Sequence, residues 1–112
     1  ELLFGLMLIS GNDAAETLKK TIPSELPSIN FLSGGQSPEE ATAHLNAMHT
    51  LYRNLPWYVS FSYARALQEP ALKAWKGKAE NLEAGQKAFL RRAKLNSLAS
   101  MGRYSEDMEK EA

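Results

Sequence analysis

The sequence predicts an α/β fold made of βα units on a parallel sheet. Three observations carry this. Residues 2–9 form a continuous apolar run, as in a strand buried on both faces of a parallel sheet. Residues 29–33 and 57–62 read as two further short strands. Helical patterns lie between and after them, in the order strand, helix, strand, helix, strand, helix, helix.

Each element follows from local chemistry. After the first strand, Ser10-Gly11-Asn12 is turn chemistry. Asp13 caps a short helix over residues 14–21, with Glu16 in the capping-box position. Lys19 and Lys20 sit near its C-terminus, where the helix dipole favours cations. Pro23 and Pro27 break the next segment before the second strand. Ser37 is an N-cap, Pro38 suits the first helical position, and Glu40 completes a capping box. That helix continues to about Arg53, with Ala41, Leu45, Met48 and Tyr52 on one face. In the third strand Trp57, Val59 and Phe61 alternate with Tyr58, Ser60 and Ser62. A short helix over residues 70–75 ends at Gly77. A long one then spans residues 80–101, with Leu82, Phe89, Ala93 and Ser100 on one side. Leu90, Leu98 and Met101 widen that stripe, and Gly102 is its C-cap. The acidic tail, residues 105–112, is expected to fray.

Bulk properties narrow the function classes. Hydrophobic residues make up 44% of the 112, enough for a packed core. Thirteen basic and thirteen acidic residues cancel, which gives no global drive toward nucleic acid or an anionic membrane. There is no cysteine, so disulfides, thiolate ligands and cysteine nucleophiles are excluded. The apolar run at residues 2–9 is far shorter than the ~20 residues of a spanning helix. It lacks a basic n-region, so it is a poor signal peptide. The chain starts inside this run without methionine, and a preceding segment is expected.

The candidate chemistry lies at two strand ends. Phe31-Leu32-Ser33-Gly34-Gly35-Gln36-Ser37 joins a strand to a capped helix through a glycine pair. Such a turn can point free backbone N–H groups at an anion. It fits neither a Walker P-loop nor a dinucleotide fingerprint, and on its own it fits a simple tight turn equally well. Arg65, after Phe61-Ser62-Tyr63-Ala64, strengthens the anion reading, because its planar fork suits a phosphate dianion. The competing role for Arg65 is an ion pair with Glu69 at i+4. His44 and His49 share a helix but point about 140° apart, so no metal site is expected from them. None of the lysines sits at the C-terminal end of a strand, where a Schiff-base lysine would be desolvated.

These motifs resemble class I fructose-1,6-bisphosphate aldolases. Phe31-Leu32-Ser33-Gly34-Gly35-Gln36-Ser37, Glu39-Glu40-Ala41-Thr42 and Leu45-Asn46-Ala47 resemble that family's seventh strand and following helix. Phe61-Ser62-Tyr63-Ala64-Arg65-Ala66-Leu67-Gln68 resembles the end of the eighth strand. Ala71-Leu72-Lys73-Ala74-Trp75, Glu80-Asn81-Leu82 and Arg92-Ala93-Lys94-Leu95-Asn96-Ser97-Leu98-Ala99 extend the likeness over residues 21–104. The resemblance implies the C-terminal portion of a (β/α)₈ barrel, with strands six to eight in a partial domain over residues 1–104. It also implies a cytoplasmic glycolytic lyase working through a lysine Schiff base. The substrates are sugar phosphates, fructose 1,6-bisphosphate and dihydroxyacetone phosphate. No cofactor or metal is implied, nor any nucleic-acid or membrane partner. By resemblance, Ser33, Gly34, Gly35, Ser62, Ala64 and Arg65 form the C1-phosphate site.

Two departures qualify the likeness. The family has glycine where Ala64 stands, and alanine resists a positive φ. The family's sixth strand ends in the Schiff-base lysine, but here Ile9-Ser10-Gly11 follows Leu8; either Ile9 replaces the lysine or a short segment after Leu8 is missing, and no catalytic residue is assigned near Ile9. A complete barrel of this type needs ~250 residues. The chain is therefore expected to supply phosphate binding without the covalent chemistry, and to associate with the complementary barrel portion. The alternative is a non-catalytic half-barrel that forms homo-oligomers and keeps a residual phosphate site.

Overall fold

The structure, a computed structural model, describes residues 11–111. Strands β1 (Ser28–Phe31) and β2 (Tyr58–Phe61) pair in parallel, from Ser28 opposite Tyr58 to Phe31 opposite Phe61. Four helices accompany them: α1 (Gly11–Thr21), α2 (Pro38–Leu51), α3 (Arg65–Trp75) and α4 (Leu82–Ala99). Short 3₁₀ turns stand at Ala79–Asn81 and Glu106–Glu109. The expected strand at residues 2–9 lies outside the described residues. Among the described residues there are two parallel strands.

The core forms between one face of the strand pair and the helices. Ile29, Phe31 and Val59 meet Leu18 of α1, Ala41, Leu45 and Met48 of α2, and Leu95 and Ala99 of α4. Each large side chain that is fully buried here stabilises the fold by about 1.5–3 kcal/mol. Polar ties fix the direction of packing. Tyr63 donates its hydroxyl to the Ala41 carbonyl at 2.8 Å, and burial pushes that phenol's pKa up. Trp57 donates Nε1–H to the Pro23 carbonyl at 2.7 Å, joining the α1–β1 link to β2.

The start of α2 carries the full capping box. Ser37 Oγ accepts the Glu40 N–H at 3.1 Å, and Glu40 Oε2 accepts the Ser37 N–H at 2.9 Å. The expected face of Ala41, Leu45 and Met48 is buried. The helix after β2 differs from expectation. It begins at Arg65, not at residue 70, and Pro70 lies inside it. Pro70 lacks only the N–H that would reach Ala66, so the helix tolerates it close to its first turn. At the α3–α4 corner Lys76 and Gly77 both take positive φ. Gly85 lets the two helices approach closely, since a Cβ there would lie 2.9 Å from Trp75 Cβ.

Two expectations for the C-terminal third are corrected. Leu82, Phe89, Leu90 and Met101, read as the apolar stripe of α4, are exposed by 42–70%. Gly85, Arg92, Leu95, Asn96 and Ala99 are buried instead. Two of these are polar, which hides the true face from hydrophobic periodicity. They are buried because they have partners. Arg92 donates to both carboxylate oxygens of Glu109 at 2.8 and 2.9 Å, to Glu39 at 3.3 Å and to Thr42 Oγ1 at 3.2 Å. Thr42 in turn donates to Asn96 Oδ1 at 2.6 Å. The acidic tail, expected to fray, is tied down by the same arginine. Tyr104 donates its hydroxyl to Glu109 at 2.9 Å, and Arg91 donates to the carbonyls of Met108 and Glu109. Gly102, at φ 69°, ends α4 in a Schellman turn: Arg103 N–H reaches the Leu98 carbonyl and Gly102 N–H the Ala99 carbonyl.

Burial alone would push the Glu109 carboxyl up. The hydrogen bonds from Arg92 and Tyr104, with the charges of Arg92 and Arg91, outweigh this and hold it below the ordinary carboxylate value. A carboxylate depressed in the folded state contributes stability that is complete above its unfolded pKa of ~4.3. That contribution is lost as pH falls through the lower, folded value. Glu109→Gln should cost about 1–3 kcal/mol at pH 7. The cost should be smaller at pH 3 than at pH 7, as read by urea denaturation at the two pH values. An equal cost at both would rule out the charged pair as its source.

Candidate functional site

The parallel register sets the C-terminal ends of β1 and β2 side by side. The Ser62 N–H continues the ladder to the Phe31 carbonyl at 2.8 Å. Beyond that point the two chains part, and a cavity of about 320 Å³ opens between them. Ser33, Gly34, Gly35, Ser62, Ala64 and Arg65 line it, together with the exposed Leu32. All six residues singled out in the sequence are therefore brought together in one place.

The glycine pair forms a type II turn. The Gln36 N–H donates to the Ser33 carbonyl at 3.1 Å, with Gly34 and Gly35 at the two central positions. Gly35 takes φ 80°, the conformation that this turn requires at its third residue. The N–H groups of Gly34 and Gly35 make no hydrogen bond among the described residues. Both glycines are exposed, so these two donors are open to a ligand.

The opposite wall is the start of α3. Ala64 sits at the N-cap with φ −97° and ψ −80°, so alanine stands there without left-handed strain. The carbonyl of Ala64 accepts from Leu67 and Gln68 at 3.2 and 3.0 Å. No side chain caps this helix, and its first turn holds no acid. Its first N–H groups are left for another acceptor. Arg65 is exposed and makes no ion pair among the described residues. Glu69, its competing partner in the sequence, pairs with Lys73 at 3.3 Å instead.

The arrangement suits a tetrahedral oxyanion. A glycine turn supplies backbone donors, an uncapped helix start supplies more with a favourable dipole, and a guanidinium supplies charge. The two histidines of α2 stay apart from it and from each other. His49 donates Nε2–H to the Val59 carbonyl at 2.8 Å, and His44 Nδ1 lies 2.6 Å from Gln36 Oε1. Gln36 was not singled out in the sequence. Its place directly after the glycine pair was the only available signal.

Comparisons with known proteins bear on the same region. A family model described as fructose-bisphosphate aldolase class-I matches residues 10–112. The cytoplasmic isozyme of fructose-bisphosphate aldolase from Spinacia oleracea is 57% identical over 88 residues, 79% of this chain and 25% of that protein. The muscle-type enzyme of Lethenteron camtschaticum is 55% identical over 87 residues, 78% of this chain and 24% of that one. A chloroplastic relative from Arabidopsis thaliana is 57% identical over 94 residues, 84% of this chain and 24% of its own. Among solved structures, Plasmodium falciparum fructose-bisphosphate aldolase, in complex with TRAP and a small-molecule inhibitor, is 44% identical with a TM-score of 0.79. That likeness covers 87% of this chain and 29% of the Plasmodium chain. The chain thus spans about a quarter of the length of the curated relatives it matches.

Replacing Gly35 should damage the turn before the fold. Alanine at φ 80° is strained by about 1 kcal/mol. Gly35→Ala should lower the unfolding free energy by that order, while Gly34→Ala should cost less. Equal effects in a denaturation series would argue against the type II geometry.

Proposed function

Since this chain belongs to the class I fructose-bisphosphate aldolase family, we propose that its cavity is the C1-phosphate site for fructose 1,6-bisphosphate and dihydroxyacetone phosphate. Gly34 and Gly35 donate backbone N–H groups to the phosphate, with Ser33 holding the start of the turn. Arg65 donates from its side chain and supplies the charge, Ala64 contributes its amide, and Ser62 lines the floor. The observation that supports this reading is an arginine with no carboxylate partner among the described residues, across one cavity from two glycine amides that are also unused among them. Within a whole protein of this family the site would hold the ketose phosphate while a lysine Schiff base carries out aldol cleavage to two triose phosphates. By the resemblance, either Ile9 stands where the family's sixth strand carries that lysine, or a short segment after Leu8 is missing. The chain by itself therefore binds without forming the covalent adduct. A cytoplasmic location follows the spinach relative, though the chloroplastic one shows that the family is not confined there.

Isothermal titration with dihydroxyacetone phosphate tests the binding, and borohydride trapping tests the chemistry. Arg65→Ala should weaken binding at least about tenfold, as expected for loss of a charge-assisted contact. Borohydride should leave the wild-type chain unmodified. Unchanged affinity in Arg65→Ala would sink the site assignment, and a trapped adduct would sink the division between binding and chemistry.

A second reading has its own support. Leu72, Trp75, Leu82 and Phe89 leave an apolar flank along α3 and α4, exposed by 40–57%. Such a flank favours association, with a further copy or with a complementary barrel portion. Sedimentation equilibrium should give a multiple of the chain mass at tens of micromolar, and a clean monomer would count against self-association.

A further inference from the structure

Gln36 is 7% exposed, although it follows an exposed glycine pair. Its backbone N–H closes the turn on Ser33. Its side chain leaves the turn and runs to the second turn of α2, where Oε1 lies 2.6 Å from His44 Nδ1. With the amide in this orientation Oε1 accepts, so the ring donates from Nδ1–H. Gln36 Nε2 is buried with no partner among the described residues. Burying an amide donor without a partner is costly. A small polar residue pointing outward would avoid that cost and still close the turn through its N–H. Turn closure alone therefore does not account for a buried glutamine here.

We propose that Gln36 is a positioning residue for the anion cradle, fastening the glycine turn to α2 through His44. The proposal rests on the phosphate-site reading above. Two consecutive glycines are the most freely moving backbone a chain can have. Donors on such a segment help an anion only if their direction is held before it arrives. The α2 frame is rigid: Ala41, Leu45 and Met48 are buried, and Tyr63 donates to the Ala41 carbonyl. His44 extends from that frame, and Gln36 takes hold of it one residue beyond Gly35. The tie persists in both charge states of the ring, since neutral Nδ1–H imidazole and imidazolium each donate to Oε1. Neither Gln36 nor His44 lines the cavity, so both act through the turn.

The probe is inorganic sulfate, a tetrahedral dianion that does not titrate near neutral pH, followed by calorimetry on the whole chain. Gln36→Ala and His44→Ala should each weaken sulfate binding about fivefold, the worth of one net hydrogen bond. The double variant should be no weaker than either single one, because both break the same tie. Nitrogen NMR of the wild-type imidazole should show His44 as the Nδ1–H tautomer, and Gln36→Ala should release it to the mixture seen in free histidine. If Arg65→Ala loses sulfate while Gln36→Ala binds as the wild type does, the positioning role is wrong and the phosphate-site reading stands. Additive losses in the double variant would also overturn it. If the wild type does not bind sulfate, or Arg65→Ala leaves binding unchanged, both readings fall together. Should Gln36→Ala not fold, the wild-type ring decides: the tautomer mixture of free histidine at His44 overturns the proposal.

Discussion

A parallel strand pair cannot be closed by a tight turn; the chain must travel back from the end of one strand to the start of the next. Here α2 makes that journey between β1 and β2. The consequence is geometric. Both strands finish at the same edge, and the ladder runs on to Ser62 and the Phe31 carbonyl. Ser33 and Arg65, far apart along the chain, then meet across one cavity. The site is thus a product of strand direction more than of any single motif.

Holding α2 in place is the next requirement, and apolar packing supplies only part of it. The side it turns toward α4 carries Glu39 and the fully buried Thr42, which face the buried guanidinium of Arg92. One planar fork joins three segments: α2, α4 and the 3₁₀ turn that carries Glu109. Such a network is weak evidence for stability, because desolvating the charges offsets most of the attraction. Its geometric content is greater. An apolar residue at position 92 could pack in several rotations, whereas a bidentate pair accepts one orientation.

Legibility in the sequence follows from the same distinction. The capping box of α2, strand alternation and the glycine pair depend on near neighbours, and α2, β1 and β2 follow them closely. The first helix departs: it begins at Gly11, so Asp13, expected as its cap, lies inside it. The stripe of α4 depends on partners far along the chain. Arg92 and Asn96 look like surface residues until Glu109, Thr42 and Glu39 are placed around them. The tail looked disordered because its acids had no visible partner, and the partner was that same arginine. Pro70 misled in the opposite way: a proline suggested a helix start, while the chain had already turned helical at Arg65. At the site, all six chosen residues share the cavity. Gln36 went unmarked because its importance lies in burial, which a lone glutamine does not advertise.

The two helix starts near the cavity differ in the way the proposed dianion site requires of a chain with no net charge. The first turn of α2 contains Glu39 and Glu40, and the capping box already occupies its leading donors. An anion near that end would meet carboxylates. The first turn of α3 is the reverse: no cap, no acid, and an arginine at its first position. Had α3 received an ordinary aspartate or serine cap, the helix would gain about 1 kcal/mol. The capping side chain would then occupy the donors that the cavity leaves open. Leaving α3 uncapped is a local concession of stability, made where bound phosphate could act as the cap. The glycine turn completes the cradle from the other side, because the start of α2 is acidic and its capping box takes the Ser37 and Glu40 N–H groups, while the turn has two open donors.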